Sequence, residues 1–80
     1  MPHYLLQNIH SPAECEASYA AWQGFDSPLR GHPAPSTCLA GGHRIWWTVE
    51  ASTEIEALAQ LPAYVAERTE VTKVRDVAIP

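Results

Sequence analysis

One segment constrains the fold of this chain more than any other, the run from His43 to Ala51 that follows Gly41-Gly42. It contains no glycine or proline and is rich in the β-branched and aromatic residues that favour strands. Successive side chains of a strand point to opposite faces of a sheet. One face of this run is therefore entirely apolar, consisting of Ile45, Trp47, Val49 and Ala51. This face should lie under a layer of helices.

The opposite face of the same strand carries Trp46 among the polar residues Arg44, Thr48 and Glu50. A tryptophan buries on the order of 200 Å², worth several kcal/mol at ~25 cal/mol per Å². A sheet with an apolar second face needs a second layer, and another copy of the chain supplies one around a two-fold axis. The pattern predicts a homodimer packed sheet to sheet; the competing interpretation is that Trp46 is a tolerated surface aromatic.

The other segments predict three more strands and two helices. Strands are expected at 3–9, 36–40 and 71–79, the last at a sheet edge because it carries charges. Capping boxes at Ser11–Glu14 and Thr53–Glu56 should begin the helices. The first helix should present an apolar stripe and end near Gly24, and the second should bury three residues and end or kink at Pro62. These residues are Cys15, Tyr19 and Trp22 in the first helix and Ile55, Leu58 and Ala59 in the second.

This order, β-α-β-β-α-β, predicts a ferredoxin-like α+β domain. Its four-stranded antiparallel sheet would carry both helices on one face, with the first and third strands in the centre. The 80 residues form one domain, 1–80, interrupted by a Pro/Gly-rich loop at 24–35 that suits a lid, a partner contact or an edge cover. Gly41-Gly42 would make the hairpin turn between the second and third strands.

Composition narrows the functional classes. The net charge of −4 with five Lys and Arg argues against nucleic acid as a partner. No apolar run approaches the ~20 residues of a membrane span, and the N-terminus does not read as a signal peptide. A soluble, cytoplasmic protein is therefore expected, in which the two cysteines stay reduced.

The element order and two segments, GGHRIWWTVEA (Gly41 to Ala51) and LPAYVAERTEV (Leu61 to Val71), resemble the dimeric α+β barrel superfamily. In that group, two ferredoxin-like subunits place their sheets face to face. The first segment most resembles small bacterial proteins related to a nickel-binding family. The resemblance implies a fold and a dimer; members differ widely in activity, so it does not by itself imply a function.

Two sets of residues could carry chemistry. If the first and third strands run antiparallel, His10 lies near His43, and either could act as a general base. Arg44 could hold a carboxylate or an enolate, and Trp46, Thr48 and Glu50 could line a ligand site, although Arg44 and Glu50 could equally form ion pairs across a dimer axis. The second set is a transition-metal site of His10 and His43 with Glu14 and Cys15, because imidazole and thiolate suit Ni, Cu, Zn or Fe.

Three functions follow from these sets. The first is a small-ligand-binding dimeric α+β-barrel protein of biosynthesis or catabolism, such as a cofactor-free isomerase, cyclase or monooxygenase. The second is a transition-metal binding protein of the nickel type. The third is a structural dimerisation module without a site. The first is preferred, with no cofactor, a small-molecule ligand and a second copy of the chain as its partners.

Overall fold

The computed structural model describes all 80 residues and has a three-stranded antiparallel sheet with short helices. The strands are β1 (His3–Ile9), β2 (Arg44–Glu50) and β3 (Thr69–Val74), in the spatial order β2-β1-β3. The helices are α1 (Cys15–Ala20), α2 (Glu54–Leu58) and α3 (Ala63–Ala66). The helices are all too short to cross a lipid bilayer.

The prediction of a four-stranded ferredoxin-like sheet with two helices is wrong. The expected strand at 36–40 shrinks to one bridge between Ser36 and Ile45, followed by a 3₁₀ turn over Cys38–Ala40. The carbonyl of Thr37 accepts from the amides of Ala40 (3.0 Å) and Gly42 (2.8 Å). Because these bonds curl the backbone, the segment cannot stay extended beside β2. The description of the chain as a dimeric α+β barrel is therefore also wrong, because that fold needs the four-stranded sheet.

The strands on either side of β1 were predicted more closely. β1 has the predicted limits and the predicted central position, and β2 lies within the predicted 43–51. The central position predicted for β2 is wrong, because β2 forms an edge of the three-stranded sheet. Their antiparallel register pairs Leu6 with Trp47 and Ile9 with Arg44. β3 is an edge strand as predicted, but it begins two residues early and ends at Val74, leaving Val77 and Ile79 exposed.

The core lies between one face of this sheet and the helices. The side chains that form it are all apolar and nearly inaccessible: Tyr4, Leu6, Val49, Ala51, Ala57, Leu61 and Val65. The predicted assignment of the Ile45 face to the helical side is confirmed, with Trp47 packed partly buried against the core.

The first capping box forms and the second forms only in part, and both helices are shorter than predicted. The Glu14 carboxylate accepts from the amide of Ser11 (2.9 Å). Thr53 Oγ1 accepts from the amide of Glu56 (3.1 Å), but the Glu56 carboxylate accepts from the amide of Ser52 (3.1 Å) instead of that of Thr53. The burial of Ile55 was wrongly predicted, since this side chain is 81% exposed, and in α1 it is Ser18 that is buried while Tyr19 is exposed. One or two helical turns give too little periodicity to identify the buried side.

The 24–35 loop folds against the body of the protein. Ser27 Oγ donates to the carbonyl of Gln60 (2.7 Å), and the carbonyl of Pro35 accepts from the amide of Trp46 (2.9 Å). The loop therefore covers the free edge of β2, one of the three roles predicted for it. Trp46 is half-buried within its own chain as a result, which weakens the case for a dimer built on it; the dimer stays a prediction.

Candidate metal centre

The site lies at one end of the sheet, where β1 finishes and β2 begins. The amide of His10 donates to the carbonyl of His43 (3.2 Å), immediately beyond the Ile9–Arg44 pair. The two imidazole rings meet edge to face, with centroids 5.4 Å apart. The predicted proximity of His10 and His43 is thus confirmed, because it follows from the antiparallel pairing of the two strands.

A tight loop brings a cysteine to the same point. After the 3₁₀ turn, Gly41 adopts a left-handed φ of 84°, and Gly42 passes so close to Thr37 that a β-carbon would overlap that side chain. This curl directs Cys38 back toward the end of β1, where its Sγ lies 3.6 Å from Nε2 of His10. The conformation needs glycine at both positions, one for its φ and one for its lack of a side chain.

Four potential ligands therefore converge: His10, Cys15, Cys38 and His43. One ligand atom from each lies within 4.8 Å of all the others. Cys15 joins from the start of α1, directly after the capping box of Ser11 and Glu14. We call this group the His/Cys cluster. Together the four supply two nitrogens and two sulfurs, a donor set typical of Zn²⁺ and other borderline or soft transition metals.

Asn8 holds His10 in the protonation form that a ligand requires. Asn8 is fully buried, and its Nδ2 donates to the carbonyls of Val65 (3.3 Å) and Arg68 (3.4 Å). Its Oδ1 therefore faces Nδ1 of His10, at 2.7 Å, and can only accept. The proton sits on Nδ1, and the lone pair of Nε2 points toward Cys38. Second-shell bonds of this kind orient metal-ligating histidines.

His43 shows two features that the fold alone does not require. Its φ is 53°, in the left-handed region that non-glycine residues seldom occupy. Its Nδ1 is buried and has no hydrogen-bond partner. A strained backbone and an unpaired buried nitrogen both cost free energy. They occur together here in a residue of the His/Cys cluster.

The electrostatic environment favours a neutral imidazole. Burial, and then the neighbouring His43, lower the pKa of His10, while Glu14 opposes them. Burial, followed by the adjacent Cys38 thiol, raises the pKa of Cys15. The site therefore disfavours a charge on His10 and on Cys15, and a dication would compensate a thiolate at Cys15 directly.

The structure brings together three of the four predicted metal ligands and adds one that was missed. Glu14 is not in the His/Cys cluster; its carboxylate binds the Ser11 amide and Nε of Arg68 (2.8 Å) instead. Those hydrogen bonds lower the Glu14 pKa to about 2. Cys38 takes the fourth place. The sequence pattern that could have identified Cys38 is a mirrored spacing of the ligands. His10 and Cys15 form H-x₄-C, Cys38 and His43 form C-x₄-H, and 22 residues separate the two cysteines.

The preferred prediction that the chain takes no cofactor is wrong in view of this cluster, whose four side chains could hold a metal ion. No two of these ligands have the close spacing of an HxxxH or CxxC motif. The cluster is instead assembled from two loops that are adjacent only because β1 and β2 pair.

The residues predicted to bind an organic ligand are spread along the outer face of β2. Trp46 and Thr48 line a shallow depression of about 240 Å³ beside Pro33 and Pro35. Arg44 is exposed, and Glu50 lies 3.5 Å from His3 at the other end of the sheet. Arg44 lies on the outer face of β2, whereas Ile45 lies on the inner face that packs against the core. The catalytic roles of His43, His10 and Arg44 stay predictions.

Comparison with known proteins yields no relative: no family model, no curated protein and no solved structure matches the chain. The resemblance to the dimeric α+β barrel superfamily and its nickel-binding members therefore stays a prediction. The function must be argued from the site itself.

Proposed function

We propose that this protein binds one transition-metal ion, with Zn²⁺ the best fit, through His10, Cys15, Cys38 and His43. The observation that carries the proposal is the convergence of four ligand atoms from two loops to within 4.8 Å. Around tetrahedral zinc, with bonds of about 2.0–2.3 Å, ligand atoms lie roughly 3.3–3.8 Å apart. The 3.6 Å between Cys38 and His10 is already in that range.

The environment of the ligands supports the same assignment. Nδ1 of His10 is engaged by Asn8, which leaves Nε2 to coordinate. The unpartnered Nδ1 of His43 would gain a partner in the metal. A metal site accounts for both observations: the tautomer of His10 is fixed by Asn8, and Nδ1 of His43 is buried without a hydrogen-bond partner.

The ligand count favours a closed site. Four protein ligands fill a tetrahedral shell, as in structural zinc sites, whereas catalytic zinc keeps one position open for water. Bound metal would join the end of β1, the start of α1 and the loop before β2. In this assignment the two histidines coordinate, so neither is free to act as the general base of an enzyme.

The decisive experiment is metal titration of the reduced, metal-free protein against a chromophoric chelator, with native mass spectrometry for stoichiometry. We expect one Zn²⁺ per chain. Replacing Zn²⁺ by Co²⁺ should give the intense visible d–d bands of four-coordinate cobalt, with thiolate charge transfer in the near ultraviolet. Ni²⁺ should bind more weakly, because a tetrahedral S₂N₂ shell does not suit its preference for square-planar or octahedral geometry.

Variants make the test specific. Cys38→Ser and Cys15→Ser should each lower zinc affinity by at least about 100-fold, since each removes a thiolate ligand. His32→Ala is the matched control, because His32 is an exposed histidine of the 24–35 loop outside the cluster. Zinc affinity weaker than micromolar, or equal affinity in Cys38→Ser and the native chain, would refute the proposal.

A further inference from the structure

A cavity of about 310 Å³ lies between the end of α1, the 24–35 loop and the inner face of β2. Its apolar wall is largely aromatic, with Trp22 and Trp47 in contact at a centroid distance of 5.7 Å and a tilt of 48°. Tyr19, Leu29, Ala34 and Ile45 complete this wall. The volume is at the lower end of the range for small-molecule sites, roughly 300–1,000 Å³.

Arg30 is the one permanently charged residue in the lining of the cavity. His32 adds an imidazole, and none of the ten lining residues is acidic. The whole chain, by contrast, carries a net charge of −4. Arg30 forms no ion pair with any carboxylate of the chain, and Nη1 of its guanidinium donates to the carbonyl of Phe25 (3.2 Å). Arg30 itself is exposed, so its guanidinium is accessible and has no carboxylate paired to it.

The cavity is already formed, because its loop is tied down at both ends. The Ser27 hydroxyl accepts from the amide of Leu29 (3.1 Å) while donating to Gln60, which fixes the start of the loop. Hydrogen bonding of Pro35 to Trp46 and the Ser36–Ile45 bridge fix its end. A ligand would thus not have to order the loop, a cost that otherwise reduces affinity.

We infer that this cavity binds a small aromatic carboxylate, with its ring against Trp22 and Trp47 and its carboxylate at Arg30 and His32. Flat rings pack against aromatic side chains in offset or edge-on contacts. A guanidinium matches a carboxylate through two parallel hydrogen bonds. The cavity shares no residue with the His/Cys cluster, although Tyr19 of its lining lies beside Cys38. The inference does not rest on metal binding, so the two proposals can fail independently.

The test uses naphthoate as the probe and naphthamide as its neutral analogue, each titrated into the full chain by calorimetry and heteronuclear NMR. Naphthoate should bind saturably at one site and shift the indole signals of Trp22 and Trp47. We expect it to bind about tenfold more tightly than naphthamide, because a charge-assisted hydrogen bond at a partly exposed site contributes about that much.

Arg30→Gln should remove the preference for the carboxylate, and Arg75→Gln, an exposed arginine outside the cavity, should leave it unchanged. Arg30 is exposed, so its replacement leaves the core intact. Ala34→Phe should block both probes by filling the cavity. Equal affinity for the two probes, no saturable binding, or an undiminished preference in Arg30→Gln would overturn the inference.

Discussion

A histidine lies at each end of β1, His3 as its first residue and His10 directly after its last, and the two differ in exposure and in contacts. His3 is exposed and contacts only the exposed carboxylate of Glu50, at 3.5 Å. His10 is buried, hydrogen-bonded by Asn8 and surrounded by two thiols and a second imidazole. Both residues are histidines beside the same strand, so the strand does not account for the difference. The segments that meet at each end of β1 decide whether its histidine is solvated or surrounded by other potential metal ligands.

The largest expected effect contrasts these two histidines in metal-dependent stability. With free Zn²⁺ about a thousandfold above its dissociation constant, binding should raise the free energy of unfolding by about 4 kcal/mol. His10→Ala should lose most of this increment, whereas His3→Ala should keep it. Urea unfolding with zinc and with chelator measures the increment for each variant. An equal zinc-dependent increase in the free energy of unfolding in both variants would show that His10 is not a metal ligand.

The next effect concerns Asn8, which touches His10 without belonging to the cluster. Asn8→Ala should lower zinc affinity about 10- to 100-fold, the usual effect of losing a second-shell partner. The carbonyls that Asn8 contacts keep other donors, since that of Arg68 accepts from Ile9 and that of Val65 from Thr69. Gln7→Ala, on the other face of the strand, is the control. Chelator competition measures both, and unchanged affinity in Asn8→Ala would exclude the orienting role.

A third prediction separates the two glycines before β2. Gly42→Ala should destabilise the fold by about 1–3 kcal/mol, because its β-carbon overlaps Thr37, and should also weaken zinc binding by displacing Cys38. Gly41→Ala should cost about 1–2 kcal/mol through its left-handed φ of 84°, with a smaller effect on zinc. Adding Thr37→Gly should relieve only the first variant. Urea unfolding and chelator competition test this pattern; no rescue would contradict the overlap.

The smallest effect is that of Glu14, which borders the cluster without joining it. Its pKa is lower in the folded chain, about 2, than its ordinary value of 4.5. Its contribution to stability is therefore present above pH 4.5 and is lost as the pH falls through about 2. Glu14→Gln should be less stable than the native chain at neutral pH, and the difference should close in that window.

Urea midpoints of the metal-free protein across the same pH range measure this difference. Glu16→Gln, an exposed acid of α1 without an ion pair, should track the native chain. A difference between Glu14→Gln and the native chain that stays constant down to about pH 2 would contradict the assignment.

The strands were the best-predicted part of this molecule. β1 and β2 were located from their aromatic and β-branched residues and their lack of glycine and proline, and side-chain alternation identified the buried face of β2. Their antiparallel pairing brought His10 to His43. The prediction of a strand at 36–40 was wrong because the carbonyl of Thr37 accepts from the amides of Ala40 and Gly42, which forms a turn. Cys38 was missed with it, since a cysteine assigned to a strand has no reason to face the end of β1. The ends of the two helices were wrongly predicted because α1 and α2 are each too short to show a helical repeat of apolar residues.

The mirrored spacing of the ligands has a consequence for how the chain reaches this fold. His10 with Cys15, and Cys38 with His43, are each local pairs that can chelate an ion before any sheet exists. If the chain binds metal as proposed, an ion held by one pair would capture the other by closing the 22-residue connection, a step that takes less than about a microsecond for loops of this size. Metal loaded onto the unfolded chain would then align the end of β1 with the start of β2. Zinc concentration would in that case alter the folding rate as well as the stability of the product.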